Sequence, residues 1–163
     1  MKKLILVRHG KSSWDYEVSD KDRPLKERGI NDAYLVAKTY ALHYKGGCQM
    51  ISSPANRALH TAIIFGRVLN YPVDSLRIQS SCYDFSGEQV LEVIRSQDQK
   101  INTLFVFGHN YALTSLVNAL GDQYIDNVPT AGLVEIHFET ENWQTIDQGR
   151  TVHQLFPKYL KES

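Results

Sequence analysis

Cysteine is scarce in this sequence: only Cys48 and Cys82 occur in 163 residues. Two thiols cannot build a disulfide framework, and both are expected to be reduced, partly buried thiols of a cytosolic protein. Net charge is equally sparse. The 18 Lys and Arg are balanced by 18 Asp and Glu, for a formal charge of +0. Nothing global therefore favours nucleic acid or an anionic membrane, and any anion binding must come from a local cluster. Long apolar runs are missing too. Met1-Lys2-Lys3 followed by Leu4 to Val7 begins like a leader peptide, yet the run stops at Arg8, too early for a leader's apolar region. No stretch approaches membrane-spanning length, so a cytoplasmic location is expected. There is no HExxH, paired CxxC or His-x-His, so metal binding has little support and no cofactor is expected. No G-x-S-x-G speaks for a serine nucleophile, and no Gly-rich loop ending in Lys-Ser/Thr speaks for nucleotide hydrolysis. Internal repeats, low-complexity tracts and linkers are absent.

What remains is an ordinary globular composition, 42% hydrophobic and 22% charged, of a length that implies one domain over residues 1–163. Leu4 to Val7 reads as a central strand buried on both faces. After a polar loop ending at Arg23-Pro24-Leu25, the apolar spacing of Ile30, Ala33, Tyr34, Ala37 and Ala41 predicts a helix, ended by Gly46-Gly47. Met50-Ile51 ends a second strand. Ser53 is the expected N-cap and Pro54 the first helical residue of a helix carrying Arg57. Leu76 to Ser80 reads as a short strand, Glu88 to Ile94 as a helix, Leu104 to Phe107 as a strand, and Leu113 to Leu120 as a helix. Val134 to Phe138 and Trp143 to Ile146 are expected to close the sheet as an antiparallel pair. Strands alternating with helices imply an α/β sandwich in three layers, with a mostly parallel sheet covered on both faces. Ligands in such folds sit beyond the carboxyl ends of the strands. Three expected strands end in candidate chemistry, at Arg8-His9-Gly10, at Ser52 to Arg57, and at Gly108-His109-Asn110.

Arg8 offers a planar fork of donors suited to phosphate oxygens, and His9 stands on the stiff base of a buried strand. Gly10 lets the backbone turn sharply or approach a ligand. Arg57, on the first turn of its helix, adds a second fork where the helix terminus already favours anions. Taken singly, each has a plain alternative as a solvated arginine or a structural histidine. His43, His60, His137 and His153 lack the strand-end setting and are assigned to surface or core.

Leu4-Ile5-Leu6-Val7-Arg8-His9-Gly10, Ser52-Ser53-Pro54-x-x-Arg57-Ala58-x-x-Thr61-Ala62 and Val106-Phe107-Gly108-His109-Asn110 together resemble the histidine phosphatase superfamily, the phosphoglycerate-mutase-like fold with its RHG motif. Asp22-Arg23-Pro24-Leu25-Lys26-Glu27-Arg28-Gly29 looks like the SixA-type phosphohistidine phosphatase branch, and the short chain leaves little room for a substrate lid. The resemblance implies a metal-independent phosphatase in which His9 attacks phosphorus while Arg8, Arg57 and His109 hold the equatorial oxygens. His9 must then be neutral, and His109, ringed by the anion, is expected to be protonated. Arg23 is a further candidate phosphate contact, Lys11 a weaker one, and Ser12 a supporting or turn residue. Asp84 is the candidate general acid, with Glu88 expected to cap its helix. A missing acid favours phosphohistidine as substrate, because an imidazole of pKa about 6.5 leaves more readily than an alkoxide. The expected partner is a phosphorylated protein, such as a histidine phosphotransfer domain. A small phosphate ester is the alternative, and a non-enzymatic module that binds phosphorylated ligands is a second alternative.

Overall fold

A computed structural model of the protein describes residues 1–162. Its strands are β1 (Lys2–Arg8), β2 (Gln49–Ser52), β3 (Arg77–Ile78), β4 (Thr103–Gly108), β5 (Leu133–Phe138) and β6 (Arg150–Leu155). Its α-helices are α1 (Glu27–Ala41), α2 (Asn56–Leu69), α3 (Glu88–Arg95), α4 (Ala112–Leu120) and α5 (Pro157–Lys161). The six strands form one sheet in the order β3-β2-β4-β1-β5-β6. β1 runs parallel to β4, and β2 runs parallel to β3 and β4. β5 is antiparallel to both β1 and β6, so it alone is reversed. Among the described residues no helix is long and apolar enough to cross a membrane.

Period-two alternation of the buried strands sorts their side chains onto two faces. Leu4, Leu6, Leu104, Val106, Val134 and Ile136 pack against Val90, Val93 and Ile94 of α3 and Leu113, Leu116, Val117 and Leu120 of α4. Ile5, Val7, Met50, Phe105, Phe107 and Leu133 pack against Val36, Ala37 and Tyr40 of α1 and Ala62, Phe65 and Leu69 of α2. The sequence expectation of a three-layer sandwich holds. β1 starts earlier than its apolar run because Lys2 is fully buried: its ammonium donates to the Gln99 and Ile101 carbonyls and to Asn102 Oδ1.

Two sequence expectations require correction. Trp143–Thr145 is a 3-10 turn, not a strand, and the strand that pairs with β5 is Arg150–Leu155. Trp143 is apolar because it is core, wholly buried with Nε1 donating to the Ile101 carbonyl at 2.7 Å. β6 sits at the edge of the sheet with several half-exposed polar residues, and gives a weak apolar signal. The α2 boundary is also shifted: Ala55 precedes the first helical residue, Asn56, so Ser53 and Pro54 lie outside the helix.

Candidate active site

His9 follows β1 on a backbone fixed from both sides. Its N–H donates to the Gly108 carbonyl at 3.1 Å, and its own carbonyl accepts from Ala131 N–H at 2.9 Å. The Gly10 N–H donates to Thr61 Oγ1 at 3.0 Å, tying this turn to α2. Gly10 is required by packing on Gly29: a Cβ at Gly10 would lie 2.6 Å from the Gly29 carbonyl oxygen. The sequence reading of Gly10 as a ligand-approach or turn residue misses this contact with the first turn of α1. The His9 Nδ1 lies 2.7 Å from the Gly10 carbonyl, which can only accept. Nδ1 therefore carries the proton and Nε2 keeps its lone pair.

His109 follows β4, and its ring centroid is 5.2 Å from that of His9. Arg57 Nη2, which can only donate, lies 3.5 Å from His109 Nδ1, while Ser53 Oγ lies 2.8 Å from Nε2. This arrangement puts the His109 proton on Nε2, donated to Ser53. Ser53 Oγ also accepts from Ala55 N–H at 3.2 Å. Ser53 thus serves His109 instead of capping α2. Burial pushes the His9 imidazole down to about 3, against the bond to Gly10, and the neighbouring His109, Arg57 and Arg8 add to the effect. Burial, then Arg57, pushes His109 down to about 4. Both rings are neutral near pH 7 in the free site. A phosphoryl dianion beside the ring would reverse the local field and raise its affinity for a proton.

These side chains open into a cavity of about 490 Å³ lined by Arg8, His9, Lys11, Ser12, Trp14, Asp20, Arg23, Arg57, Phe85, His109, Asn110 and Thr130. Arg8, His9, Arg57 and His109 are therefore brought together, as the sequence leads one to expect. Arg23 joins them: Nη1 donates to Ser12 Oγ at 2.7 Å, and the guanidinium stacks 3.5 Å over the Trp14 ring. Arg8 Nη1 donates to the Val128 carbonyl at 2.9 Å, leaving Nε buried without a hydrogen-bond partner.

The acidic residues fall differently from the sequence expectation. Asp84 does not line the cavity. Its Oδ1 accepts from Ser86 N–H, and its Oδ2 from the N–H groups of Gly87, Gln89 and Val90, so it caps α3 in place of Glu88. Partial burial opposes its ionisation, but these donors hold its carboxyl below the usual range. Asp20, by contrast, is the one carboxylate lining the cavity among the described residues. It lies in a 3-10 turn within a polar loop, and no local sequence signal distinguishes it. Among the described residues no group of three His, Cys, Asp or Glu is placed to hold a metal ion.

A buried imidazole pair ringed by guanidiniums, at the carboxyl ends of a mostly parallel sheet, defines an α/β protein with an arginine-rich pocket at its sheet edge. Residues 4–77 match the sequence model of the histidine phosphatase superfamily (branch 1). In three dimensions the chain is similar to the protein histidine phosphatase SixA complexed with tungstate, with TM-score 0.82 and 21% identity over 97% of this chain and 99% of that one. It is also similar to a SixA from Agrobacterium tumefaciens, with TM-score 0.72 and 23% identity over 94% and 97% of the respective chains. The uncharacterized protein Rv1276c of Mycobacterium tuberculosis is 25% identical over 153 residues, covering 88% of this chain and 93% of its own. The fold is phosphoglycerate-mutase-like, and the resemblance is to the histidine phosphatase superfamily and its SixA-type branch.

Proposed function

We propose that the protein is a phosphatase that transfers a phosphoryl group from a phosphohistidine side chain to His9 and then to water. The observation that carries this reading is the tautomer of His9: Nδ1 is tied to the Gly10 carbonyl, and Nε2 is left as a neutral nucleophile 5.2 Å, ring to ring, from His109. In the first step His9 Nε2 forms a bond to phosphorus while the bond to the substrate nitrogen breaks. A substrate ring that carries a proton on its second nitrogen leaves as neutral imidazole and needs no acid from the protein. Water then attacks phosphorus, the bond to His9 breaks, and phosphate departs. Arg8, Arg57 and His109, with Arg23 at the rim, hold the equatorial oxygens. Their contribution is pre-organised charge rather than covalent chemistry.

The acids support phosphohistidine over an alkyl phosphate. Asp20 and Asp84 are both held ionised near pH 7, so neither is a ready proton donor to an alkoxide. A protein substrate is supported by the rim. Trp14 and Phe85 line the cavity yet are 73% and 47% exposed, and Tyr111, next to the lining residue Asn110, is 66% exposed. Such apolar exposure at and near the cavity suits a macromolecular surface better than a small ester.

Incubation with a ³²P-labelled phosphoramidate should trap acid-labile, base-stable label that is absent from His9→Asn. No label, with phosphate binding intact, would identify a binding module instead. Trp14→Ala should raise KM for a phosphohistidine protein and leave a small phosphoramidate unaffected. Equal effects on both would refute a protein substrate.

A further inference from the structure

We propose that Asp20 is the positioning residue of the phosphoryl pocket, clamping Arg57 and Arg23 into one receptor for the equatorial oxygens; this rests on the phosphoryl-transfer reading above. Donors from three separate residues converge on the Asp20 carboxylate. Asp20 Oδ2 accepts from Arg57 Nη2 at 2.8 Å and from the Tyr83 hydroxyl, and Oδ1 accepts from Arg23 Nε at 3.1 Å. The Asp20 backbone carbonyl takes the remaining Arg57 end group, Nη1, at 2.6 Å. One residue therefore joins the loop after β1, the first turn of α2 and the segment before α3. These segments lie 37 and 63 residues from Asp20 in sequence.

The burial is uneven in a telling way. The Arg57 side chain is 2% exposed and that of Asp20 is 40% exposed. A solvated pair would contribute little. Here one member is a buried guanidinium whose Nε has no hydrogen-bond partner, and beyond the longer 3.5 Å approach of Nη2 to His109 Nδ1 its two end groups are held by Asp20. Three guanidiniums face one cavity, and a single fixed carboxylate offsets their mutual repulsion before an anion arrives. Asp20 is not the acid that the site lacks. Partial burial works against its charge, but Tyr83, Arg57 and Arg23 outweigh it and hold the carboxyl far below the usual range. The loop itself does not depend on this side chain, because Asn56 Nδ2 donates to the Asp22 carbonyl at 3.0 Å and the Arg57 contact to the Asp20 carbonyl is to backbone.

The test is vanadate inhibition of phosphoramidate hydrolysis, in a double-mutant cycle of Asp20→Asn with Arg57→Ala. Asp20→Asn should raise the vanadate inhibition constant and lower kcat/KM by about 10–100-fold, the loss expected when a binding group is misplaced by about an ångström. In the Arg57→Ala background the same change should cause a clearly smaller loss, because only its action through Arg23 remains. Asp20→Ser is the second variant, and a thermal midpoint near that of the wild type shows that each is folded. Tighter vanadate binding in Asp20→Asn would overturn the proposal and identify Asp20 as a competing anion. Unchanged binding, or an undiminished loss in the Arg57→Ala background, would also overturn it. If Arg57→Ala alone left vanadate inhibition intact, the phosphoryl pocket itself would be refuted, a result distinguishable from failure at Asp20.

Discussion

Lowering the pH from 7 to 5 should destabilise this protein through His9 and His109, by an amount that follows from their burial. An unfolded histidine has a pKa of about 6.5, whereas His9 and His109 are pushed down to about 3 and about 4. The folded state therefore binds fewer protons than the unfolded state throughout the interval below about pH 6.5. Stability is fully present above the unfolded value and is lost as pH falls towards the folded value, at about 1.4 kcal/mol per pH unit per ring. By pH 5 each ring should have cost roughly 2 kcal/mol, a large share of a typical domain stability of 5–15 kcal/mol. The interval from pH 6.5 to 5 isolates the histidines, since Asp20 and Asp84, with lowered values, lose their contributions only below about pH 5, as unfolded carboxyls begin to protonate. The assay is urea denaturation at pH 7, 6 and 5 for the wild type, His9→Asn and His109→Asn. His60 and His153, also pushed down mainly by burial, contribute to each protein and cancel in the comparison. Each variant should lose about 2 kcal/mol less than the wild type on going to pH 5. Identical pH slopes in wild type and His9→Asn, or an NMR titration of the His9 ring with a midpoint near pH 6.5, would refute the reasoning.

Three further substitutions report on other contacts. Gly10→Ala places a Cβ 2.6 Å from the Gly29 carbonyl oxygen, a backbone atom with no room to give, and should cost about 1–3 kcal/mol in thermal or urea unfolding. Asp84→Ala removes the acceptor for four N–H groups at the start of α3. It should lower stability by about 1–2 kcal/mol while phosphohistidine turnover stays within about twofold of wild type, and a collapse of turnover in a stable variant would restore Asp84 as an acid. Ser53→Ala strands the buried His109 Nε2–H and should cost about 1–3 kcal/mol in the same unfolding assay, while the Arg57 donor facing Nδ1 keeps the ring in its Nε2–H tautomer, readable in its ¹⁵N shifts.

The strand ends were legible in the sequence because their signals are local. A continuous apolar run stopping at a charged or glycine-containing turn marks both a buried strand and the edge where it ends, so Arg8, His9 and His109 could be placed at that edge directly. Arg57 was legible from the turn that precedes it, although Ser53 left the cap to serve His109. The edge strand β6 is hidden in the sequence because half-exposed polar residues dilute its alternation, and Trp143 reads as a strand residue because burial in a turn has the same apolar signature.

The sequence alone determined the alternation of elements, the edge of the sheet where chemistry gathers, and the residue types available there, since all three follow from short-range periodicity and turn chemistry. Only the tertiary structure decided what each polar group does. His9 is neutral because folding buries it, and Asp84 is a cap because α3 begins beside it. Asp20 reaches Arg57 and Tyr83 across 37 and 63 residues of chain. Protonation and hydrogen-bond partnership are properties of the surroundings, and surroundings assembled from distant segments leave no trace in any one stretch of sequence.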